Sequence, residues 1–189
     1  MTLTSPRGRP AGTTGDETRR RIIAAAIRCV AEAGCSGATI REIATAAEMT
    51  SGSLYHHFPS KAELLRETVV AAREIALPRL QAAARRGGDV VNQLAAVLDE
   101  ADRLMRDQPH LAAFERATGQ LPPLREVIGE VIGEAHNSGV LTGDTGTEAA
   151  ADAVYALARG LTEQAARLSP MAYRTTLRSA KALIGGTLF

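Results

Sequence analysis

Helix start signals recur along this chain and leave little room for any other secondary structure. In a capping box, a Thr or Ser side chain accepts the backbone N–H three residues later, and a Glu at that position reaches back. Four segments fit this pattern: Thr14–Glu17, Thr39–Glu42, Ser60–Glu63 and Thr145–Glu148. Ser169 before Pro170 adds another start. Because strand-length runs of alternating β-branched residues are absent, the sequence predicts an all-α fold.

Glycine and proline mark where these helices end. We predict helices over 15–33, 40–47, 51–57, 61–84, 89–107, 109–118, 123–138, 147–168 and 170–186. Gly34, the Gly87–Gly88 pair and Gly139 follow predicted helix ends, where a left-handed residue is common. Pro78 falls inside the fourth helix and should kink or break it, because proline lacks an N–H and clashes with the preceding turn.

Composition narrows the class of protein. Apolar types make up 45% of the 189 residues and charged types 23%, which is an ordinary globular balance. The chain has no apolar run long enough to span a membrane, and its polar N-terminus lacks a secretory core. Cys29 and Cys35 cannot build a disulfide scaffold, so we expect reduced thiols, with any redox role left open. We therefore expect a soluble cytoplasmic protein without a metal or cofactor.

Charge is divided unevenly along the chain. Residues 1–61 hold eight Arg or Lys against five Asp or Glu, whereas residues 62–189 hold fourteen against sixteen. A basic head on a mildly acidic body suggests that only the head meets a polyanion. Residues 1–13 are predicted to be a disordered basic arm, either solvated or placed in a DNA minor groove. The Arg19–Arg21 cluster is interpreted as a solvated helix face.

Residues 39–61 combine two short helices with a tight turn between them. The first buries Ile43, the turn falls at Glu48 and Met49, and Thr50 caps the second helix. Small polar residues, Ser51 to Ser53, open that second helix, so its backbone can approach base edges and phosphates closely. This arrangement is typical of a helix-turn-helix, whose second helix lies in a DNA major groove.

The run from Ile43 to Leu64 resembles the N-terminal domain of TetR-family transcriptional regulators. The positions that carry the resemblance are Ile43, Ala44, Ala47, Gly52, Leu54, Tyr55, His57, Phe58, Ser60, Lys61, Glu63 and Leu64. The resemblance spans residues 15–65; beyond them only length and helical character match. It implies a three-helix DNA-binding domain over 14–60 and a helical effector-binding and dimerisation domain over 61–189.

The resemblance also implies which residues meet DNA. These are Thr39, Arg41, Thr50, Ser51, Gly52, Ser53, Tyr55, His57 and Lys61. Residues from Thr50 to Ser53 would face bases or nearby phosphates, and Tyr55, His57 and Lys61 would hold the phosphate backbone. Thr39 and Arg41 would clamp a further phosphate at the start of the supporting helix.

One position departs from the family pattern. Glu48 stands where the family usually has a glycine at the turn. A non-glycine residue with positive φ is uncommon, so we expect the turn to be slightly reshaped, and its carboxylate is repulsive near DNA. An alternative function therefore stays open, an all-helical ligand- or protein-binding module whose helix-turn-helix has lost its affinity for DNA.

Residues 61–189 contain no glycine-rich phosphate loop, zinc-protease motif or serine nucleophile elbow, so we do not expect an enzyme. The resemblance places an effector cavity in residues 89–138. We name Arg103, His110, Phe114 and Tyr155 as effector-binding candidates. An aromatic content of 3% favours an aliphatic cavity and hence a small hydrophobic effector.

The last two predicted helices carry apolar stripes that include Leu157, Leu161 and Leu177. Such stripes suit either the chain's own core or a four-helix interface with a second copy, and the resemblance favours the homodimer. We interpret the chain as a repressor that an effector releases from a palindromic operator in double-stranded DNA. The sequence specifies neither the effector, nor the operator and target genes, nor whether regulation is repression or activation.

Overall fold

The computed structural model describes residues 11–119, 122–140 and 146–187, and every regular element within them is an α-helix. The helices are α1 (Ala11–Gly37), α2 (Ile40–Ala46), α3 (Ser51–His57), α4 (Lys61–Ala84), α5 (Val90–Asp107), α6 (Pro109–Thr118), α7 (Pro122–Asn137), α8 (Thr147–Ala165) and α9 (Pro170–Thr187). This confirms the all-α prediction. None of the helices in these ranges is long and apolar enough to cross a membrane.

The first helix starts earlier than predicted. Because α1 begins at Ala11, residues 11–13 are helical and not part of a disordered arm. Thr14 lies inside the helix and cannot act as its N-cap, so the capping box predicted there is wrong. Residues 1–10, with the rest of the predicted arm, lie outside the described residues. At the other end Gly34 takes φ 74°, which interrupts α1 one turn before Gly37.

The other predicted helix starts are mostly confirmed by their hydrogen bonds. The Thr39 hydroxyl accepts the Glu42 N–H at 3.2 Å, and the Glu42 carboxylate accepts the Thr39 N–H at 2.8 Å. Ser60 accepts the N–H three residues on at 3.1 Å, and Ser169 does so at 3.3 Å. Thr145 lies outside the described residues, and the N-cap of α8 is Gly146 without a side-chain hydrogen bond.

Pro78 does not break α4, so one of the two predicted outcomes is wrong, whereas a kink stays a prediction. The helix runs from Lys61 to Ala84 with Pro78 inside it. Pro78 is exposed, so the carbonyl of Glu74, which loses its N–H partner, faces the solvent side of the helix. Water can satisfy that carbonyl, which removes most of the reason for a break.

Helix α4 packs on both halves of the chain. Its N-terminal part buries Leu64 against α1, and its C-terminal part buries Ala76, Leu80 and Ala83 against α5 and α7. The hydroxyl of buried Thr68 donates to the Leu64 carbonyl at 2.7 Å, so this polar group is satisfied inside the core. One helix therefore joins the core of α1–α3 to that of α5–α9.

The stripes predicted on the last two helices lie mainly inside the chain's own core. Val154, Leu161, Leu177 and Ile184 are buried, and Leu157 is half-buried. Hydrophobicity alone cannot separate a helix face that packs within the chain from one that packs against a second chain, and the homodimer that the resemblance favours stays a prediction. The exposed faces of α8 and α9 carry small residues beside the large exposed side chains of Met171 and Leu183.

The turn between α2 and α3 is a Schellman motif with a glutamate at its left-handed position. The Met49 N–H donates to the Ala44 carbonyl at 2.9 Å, and the Glu48 N–H donates to the Thr45 carbonyl at 3.0 Å. Glu48 has φ 55°. The turn is therefore not reshaped as expected. Because Glu48 has a Cβ atom, its left-handed backbone conformation has an energetic cost that a glycine would avoid.

We expect Glu48→Gly to raise the free energy of unfolding by about 0.5–1 kcal/mol, because it relieves the left-handed strain and part of the gain is offset by unfolded-state entropy. Urea denaturation provides the measurement. The matched control is Glu32→Gly, in the interior of α1 and likewise exposed, where the same change should destabilise by about 1 kcal/mol. Equal effects of the two substitutions would contradict the assigned turn.

Candidate nucleic-acid interface and effector cavity

The polar start of α3 lies on the outside of the α1–α3 unit. Leu54 and Phe58 are buried, so the opposite face of α3 points outward. Of the residues predicted to meet DNA, those that are exposed are Thr39, Arg41, Thr50, Gly52, Ser53 and Tyr55, and those that are half-buried are Ser51, His57 and Lys61. The Thr50 hydroxyl accepts the Ser53 N–H at 3.1 Å, which fixes the first turn of α3. These residues lie near the starts of α2 and α4 and along α3, and we call their exposed side the α2–α3 surface.

Lys61 has an internal partner as well as a place at this surface. Its ammonium donates to the Cys35 carbonyl at 2.7 Å, at the C-terminal end of α1. A cation at a helix C-terminus satisfies a carbonyl and interacts favourably with the helix dipole. Since an ammonium has three N–H groups, Lys61 can hold α1 and still offer a donor outward.

Arg19, on α1, contacts the C-terminal end of α3 and the first half of α4. Its guanidinium donates to the His57 carbonyl at 3.0 Å, pairs with Glu67 at 2.9 Å and lies 4.3 Å from the centroid of the Phe58 ring. The interpretation of Arg19 as part of a solvated face is therefore wrong, whereas Arg20 and Arg21 are exposed as predicted. Sequence spacing could not reveal this, because the partners are more than thirty residues away.

The two thiols are not arranged for reactivity. Cys29 and Cys35 are both free and half-buried. Burial, with contributions from Glu32 and Glu42, raises the pKa of the Cys29 thiol, and this lowers the fraction of reactive thiolate. Among the described residues, no cluster of His, Cys, Asp and Glu is placed to hold a metal ion.

An apolar cavity lies inside the second half of the chain, between α4, α5, α6, α7 and α8. We call it the effector cavity, after the effector site that the sequence analysis predicts in this part of the chain. The side chains around it include Ala76, Leu80, Leu104, Leu111, Glu115, Leu124 and Thr162. Its volume is about 20 Å³, so the surrounding helices close around it almost completely.

Glu115 is the one acid in the wall of this cavity. It is 9% exposed and forms no ion pair with the described residues. Burial raises the pKa of its carboxyl to about 7, and neighbouring Arg116 opposes that rise only in part. A carboxyl that is neutral near physiological pH can donate a hydrogen bond as well as accept one.

The four effector-binding candidates lie around the cavity and not in its wall. Arg103 pairs with Glu100 at 3.0 Å, His110 is exposed, and Tyr155 is half-buried against the core. Phe114 is buried and borders a smaller space of about 10 Å³ beside Glu115. These four residues therefore remain predictions.

Sequence reasoning missed the polar groups that do reach the cavity, Glu115 and Thr162. A signal for Glu115 was present, because it lies four residues after Leu111 and so shares the apolar face of α6. Thr162 occupies the corresponding inner face of α8, next to Leu161 and Ala158. Acidic and hydroxyl side chains on otherwise apolar helix faces are the positions to examine in such a domain.

Similarity to known proteins bears on the α2–α3 surface first. The family model for bacterial regulatory proteins of the tetR family matches residues 22–68, which include both helices of that surface. The regulator CymR from Pseudomonas putida is 32% identical over 129 residues, which are 66% of this chain and 62% of that protein. Residues 22–68 therefore carry the N-terminal domain of the TetR family. This confirms the resemblance seen in the sequence.

Other TetR-family members extend the likeness. The repressor AcnR from Corynebacterium efficiens is 32% identical over 93 residues, which are 48% of this chain and 47% of that protein. The chain thus spans less than two thirds of CymR and of AcnR. Among solved structures, FadR from Bacillus halodurans has a TM-score of 0.74 at 17% identity. The alignment covers 97% of this chain and 98% of that FadR chain. FadR from Bacillus subtilis, crystallised with stearoyl-CoA, has a TM-score of 0.72 at 15% identity, with coverages of 90% and 99%.

The raised pKa of Glu115 makes stability depend on pH. The folded chain keeps the carboxyl proton up to about pH 7, whereas the unfolded chain releases it near 4.5. Stability is therefore lost as pH rises between these values, and the loss is complete above them. Glu115→Gln replaces the carboxyl by a neutral group of the same shape. At about pH 8 it should raise the free energy of unfolding by up to about 3 kcal/mol.

Urea denaturation of both proteins across this pH range provides the measurement, with exposed Glu163→Gln as the control. The difference between Glu115→Gln and the parent should shrink toward zero as pH approaches 4.5. A difference that stays constant over the whole range would show that the carboxyl is ionised throughout.

Proposed function

We propose that this chain is a dimeric, DNA-binding transcriptional repressor that a small-molecule effector releases from its operator. The observation that carries the proposal is the exposed polar surface of α2 and α3 within the segment that matches the TetR-family model. Glycine, serine and threonine at the start of α3 leave its backbone open to a groove, and Arg41 and Lys61 flank it. We propose a cytoplasmic location, where such a repressor meets its DNA.

The proposed DNA contacts divide by chemistry. Thr50, Ser51, Gly52 and Ser53 stand at the N-terminus of α3, from which base edges are read in a major groove. Tyr55, His57 and Lys61 lie further along and are proposed to hold phosphates. Thr39 and Arg41 are proposed to bind a phosphate at the N-terminus of α2, where the dipole of the helix favours an anion.

The alternative function, a binding module without DNA affinity, rests on the exposed carboxylate of Glu48. The Schellman motif argues against it, because the turn keeps the two helices in their family arrangement despite that side chain. A carboxylate at this point lowers affinity for a polyanion without abolishing the surface. The DNA titration below separates the two functions, since the alternative allows no salt-dependent binding.

For the dimer, we propose the outward faces of α8 and α9 as the interface. Many of the exposed residues on these faces are small, among them Ala149, Ala153, Ala156, Gly160, Ala172, Ser179, Ala182 and Gly186. Small side chains spaced three and four apart let two helices approach closely. Two copies joined in this way would present two α3 helices to the half-sites of a palindromic operator.

Two helices would carry the effector signal from residues 61–189 to the DNA-binding domain over 14–60. Helix α4 contributes Ala76 and Leu80 to the effector cavity, and its first residue, Lys61, holds the C-terminal end of α1. Helix α6 contributes Glu115 and packs along α1. Release requires an effector that favours one arrangement of these helices over the other by about 1–3 kcal/mol.

We expect Arg41→Gln and Tyr55→Phe to weaken binding to a DNA duplex selected from a random pool. Loss of Arg41 should also lower the slope of log affinity against log salt by about one, because one phosphate contact disappears. Fluorescence anisotropy at several salt concentrations measures both quantities. Arg85→Gln, an exposed arginine at the C-terminal end of α4, is the control and should leave the slope unchanged. Absence of salt-dependent binding by the parent chain would contradict the proposed function.

The dimer is tested at Gly160. A Cβ built there meets nothing within 4 Å, so Gly160→Arg can fold as a single chain while placing a charge in the middle of the proposed interface. Light scattering should give the parent twice the chain mass of 19.9 kDa and the variant the single mass. Gly133→Arg on α7, where a Cβ also meets nothing within 4 Å, is the control and should stay dimeric. A Gly160→Arg protein that remains dimeric would remove α8 from the interface.

A further inference from the structure

A second, larger space opens at the side of the helical body, where α5 and α8 end and α6 and α9 begin. We call it the lateral cleft. Its volume is about 290 Å³, close to the lower end, about 300 Å³, of the range for small-molecule pockets. The residues that carry the following argument are Met105, Arg106, Ala112, Arg116, Tyr173 and Arg174.

Tyr173 brings an unused hydrogen-bond donor into the lateral cleft. The residue is only 6% exposed, yet no described residue hydrogen-bonds to its hydroxyl. Among the described residues, no fully buried side-chain nitrogen or oxygen lacks a partner, so this hydroxyl keeps some accessible surface, and Tyr173 borders the cleft. Burial, reinforced by Asp102, raises the pKa of Tyr173 to about 12, which keeps the hydroxyl protonated as a donor.

The charge around the lateral cleft is positive. Arg106 pairs with the buried carboxylate of Asp102 at 2.9 Å, which neutralises the one acid in the lining. Arg116 and Arg174 are exposed at the rim, and neither forms an ion pair with a described residue. Two free guanidiniums beside a buried phenol make a donor set that fits an anion with several acceptor oxygens, such as a phosphate or a carboxylate.

The remaining wall is apolar and leads inward. Ala165, Leu168 and Ala112 provide carbon surface opposite the arginines. Met105 and Ala112 border both the lateral cleft and the effector cavity, so these two side chains lie between the two spaces. Methionine is flexible and changes rotamer at low cost, which suits a movable partition. A ligand held at the rim can therefore extend an apolar chain toward Leu104 and Leu111.

We propose that the lateral cleft binds an amphipathic anion, with its phosphate or carboxylate between Arg116, Arg174 and Tyr173 and its alkyl chain directed past Met105 toward the effector cavity. This defines the chemical class of the effector. The regulatory consequence rests on the proposed function, whereas the binding itself does not. The class differs from the purely hydrophobic effector that the aliphatic composition suggested.

Binding is tested by isothermal titration calorimetry on the full chain without DNA. Octyl phosphate and octanoate are the probes for the two head groups. Octylamine keeps the alkyl chain but reverses the charge, and inorganic phosphate keeps the anion but lacks the alkyl chain. We expect octyl phosphate or octanoate to bind at least about tenfold more tightly than octylamine, because a cation meets two unpaired arginines. Inorganic phosphate should be weaker by a similar factor, since it buries no alkyl chain.

Variants locate the site. Arg116→Gln and Arg174→Gln should each weaken octyl phosphate binding by about fivefold, and Tyr173→Phe by about threefold, the scale of single charge-assisted hydrogen bonds at a partly exposed site. Arg178→Gln lies one turn further along α9, is equally exposed and does not border the cleft, so it should bind like the parent. Thermal unfolding checks that each variant is folded. If Tyr173→Phe does not fold, the two arginine variants are sufficient to locate the site.

Several results would overturn the proposal. Octylamine that binds as tightly as octyl phosphate would exclude an anion site, and inorganic phosphate that binds equally well would exclude the alkyl chain. Equal affinities of Arg174→Gln and Arg178→Gln would place the anion elsewhere.

A second titration, of a selected DNA duplex with and without octyl phosphate, separates this inference from the proposed function. Weaker DNA binding in the presence of octyl phosphate, abolished in the Arg116→Gln/Arg174→Gln double variant, supports both. Calorimetric binding without any change in DNA affinity supports the site and overturns its regulatory role. Calorimetric binding by a chain that never binds DNA supports the site and contradicts the proposed function.

Discussion

The buried face of α4 is the contact on which both halves of the chain depend. Its residues recur every three or four positions from Leu64 to Ala83, and the middle of the stripe is alanine, so neighbouring helices approach closely. A rigid rod packed tightly at both ends cannot shift at one end without disturbing the other. Pro78 is tolerated because it stands on the exposed side of this rod, away from the packed face.

Polar contacts complete what packing begins in the DNA-binding domain. Two cations, Arg19 and Lys61, hold the C-terminal carbonyls of α3 and α1. Residues 1–61 carry only a small excess of positive charge, so these two cations have two roles. They orient α3, and they also contribute to the electrostatic potential around it. The orientation of α3 is thus fixed by electrostatics as well as by the burial of Leu54 and Phe58.

The features that local sequence could predict are those with local causes. Capping residues, prolines and glycine stops predicted the bounds of α3, α4 and α6 and came close for the other helices except α1, which is longer at both ends, because each signal acts within one turn. The α2–α3 surface was equally accessible, since its exposed residues follow from the burial of Leu54 and Phe58. Long-range contacts were not accessible: the partners of Arg19, the isolation of Glu115 inside the body, and the choice between core and interface for Leu161. In each of these, the outcome depends on residues brought together only by the tertiary fold.

The shortness of α3 limits how much information one head can read. Seven residues at about 1.5 Å each make a helix about 10 Å long, which matches only about three base-pair steps of about 3.4 Å. Words of about three letters recur everywhere in a genome that offers about a million or more competing sites. A chain that reads DNA with α3 must therefore obtain part of its specificity from the spacing between the sites that it binds. In the proposed dimer, the fixed distance between the two α3 helices then adds specificity, because two correct half-sites at the wrong separation are not bound together.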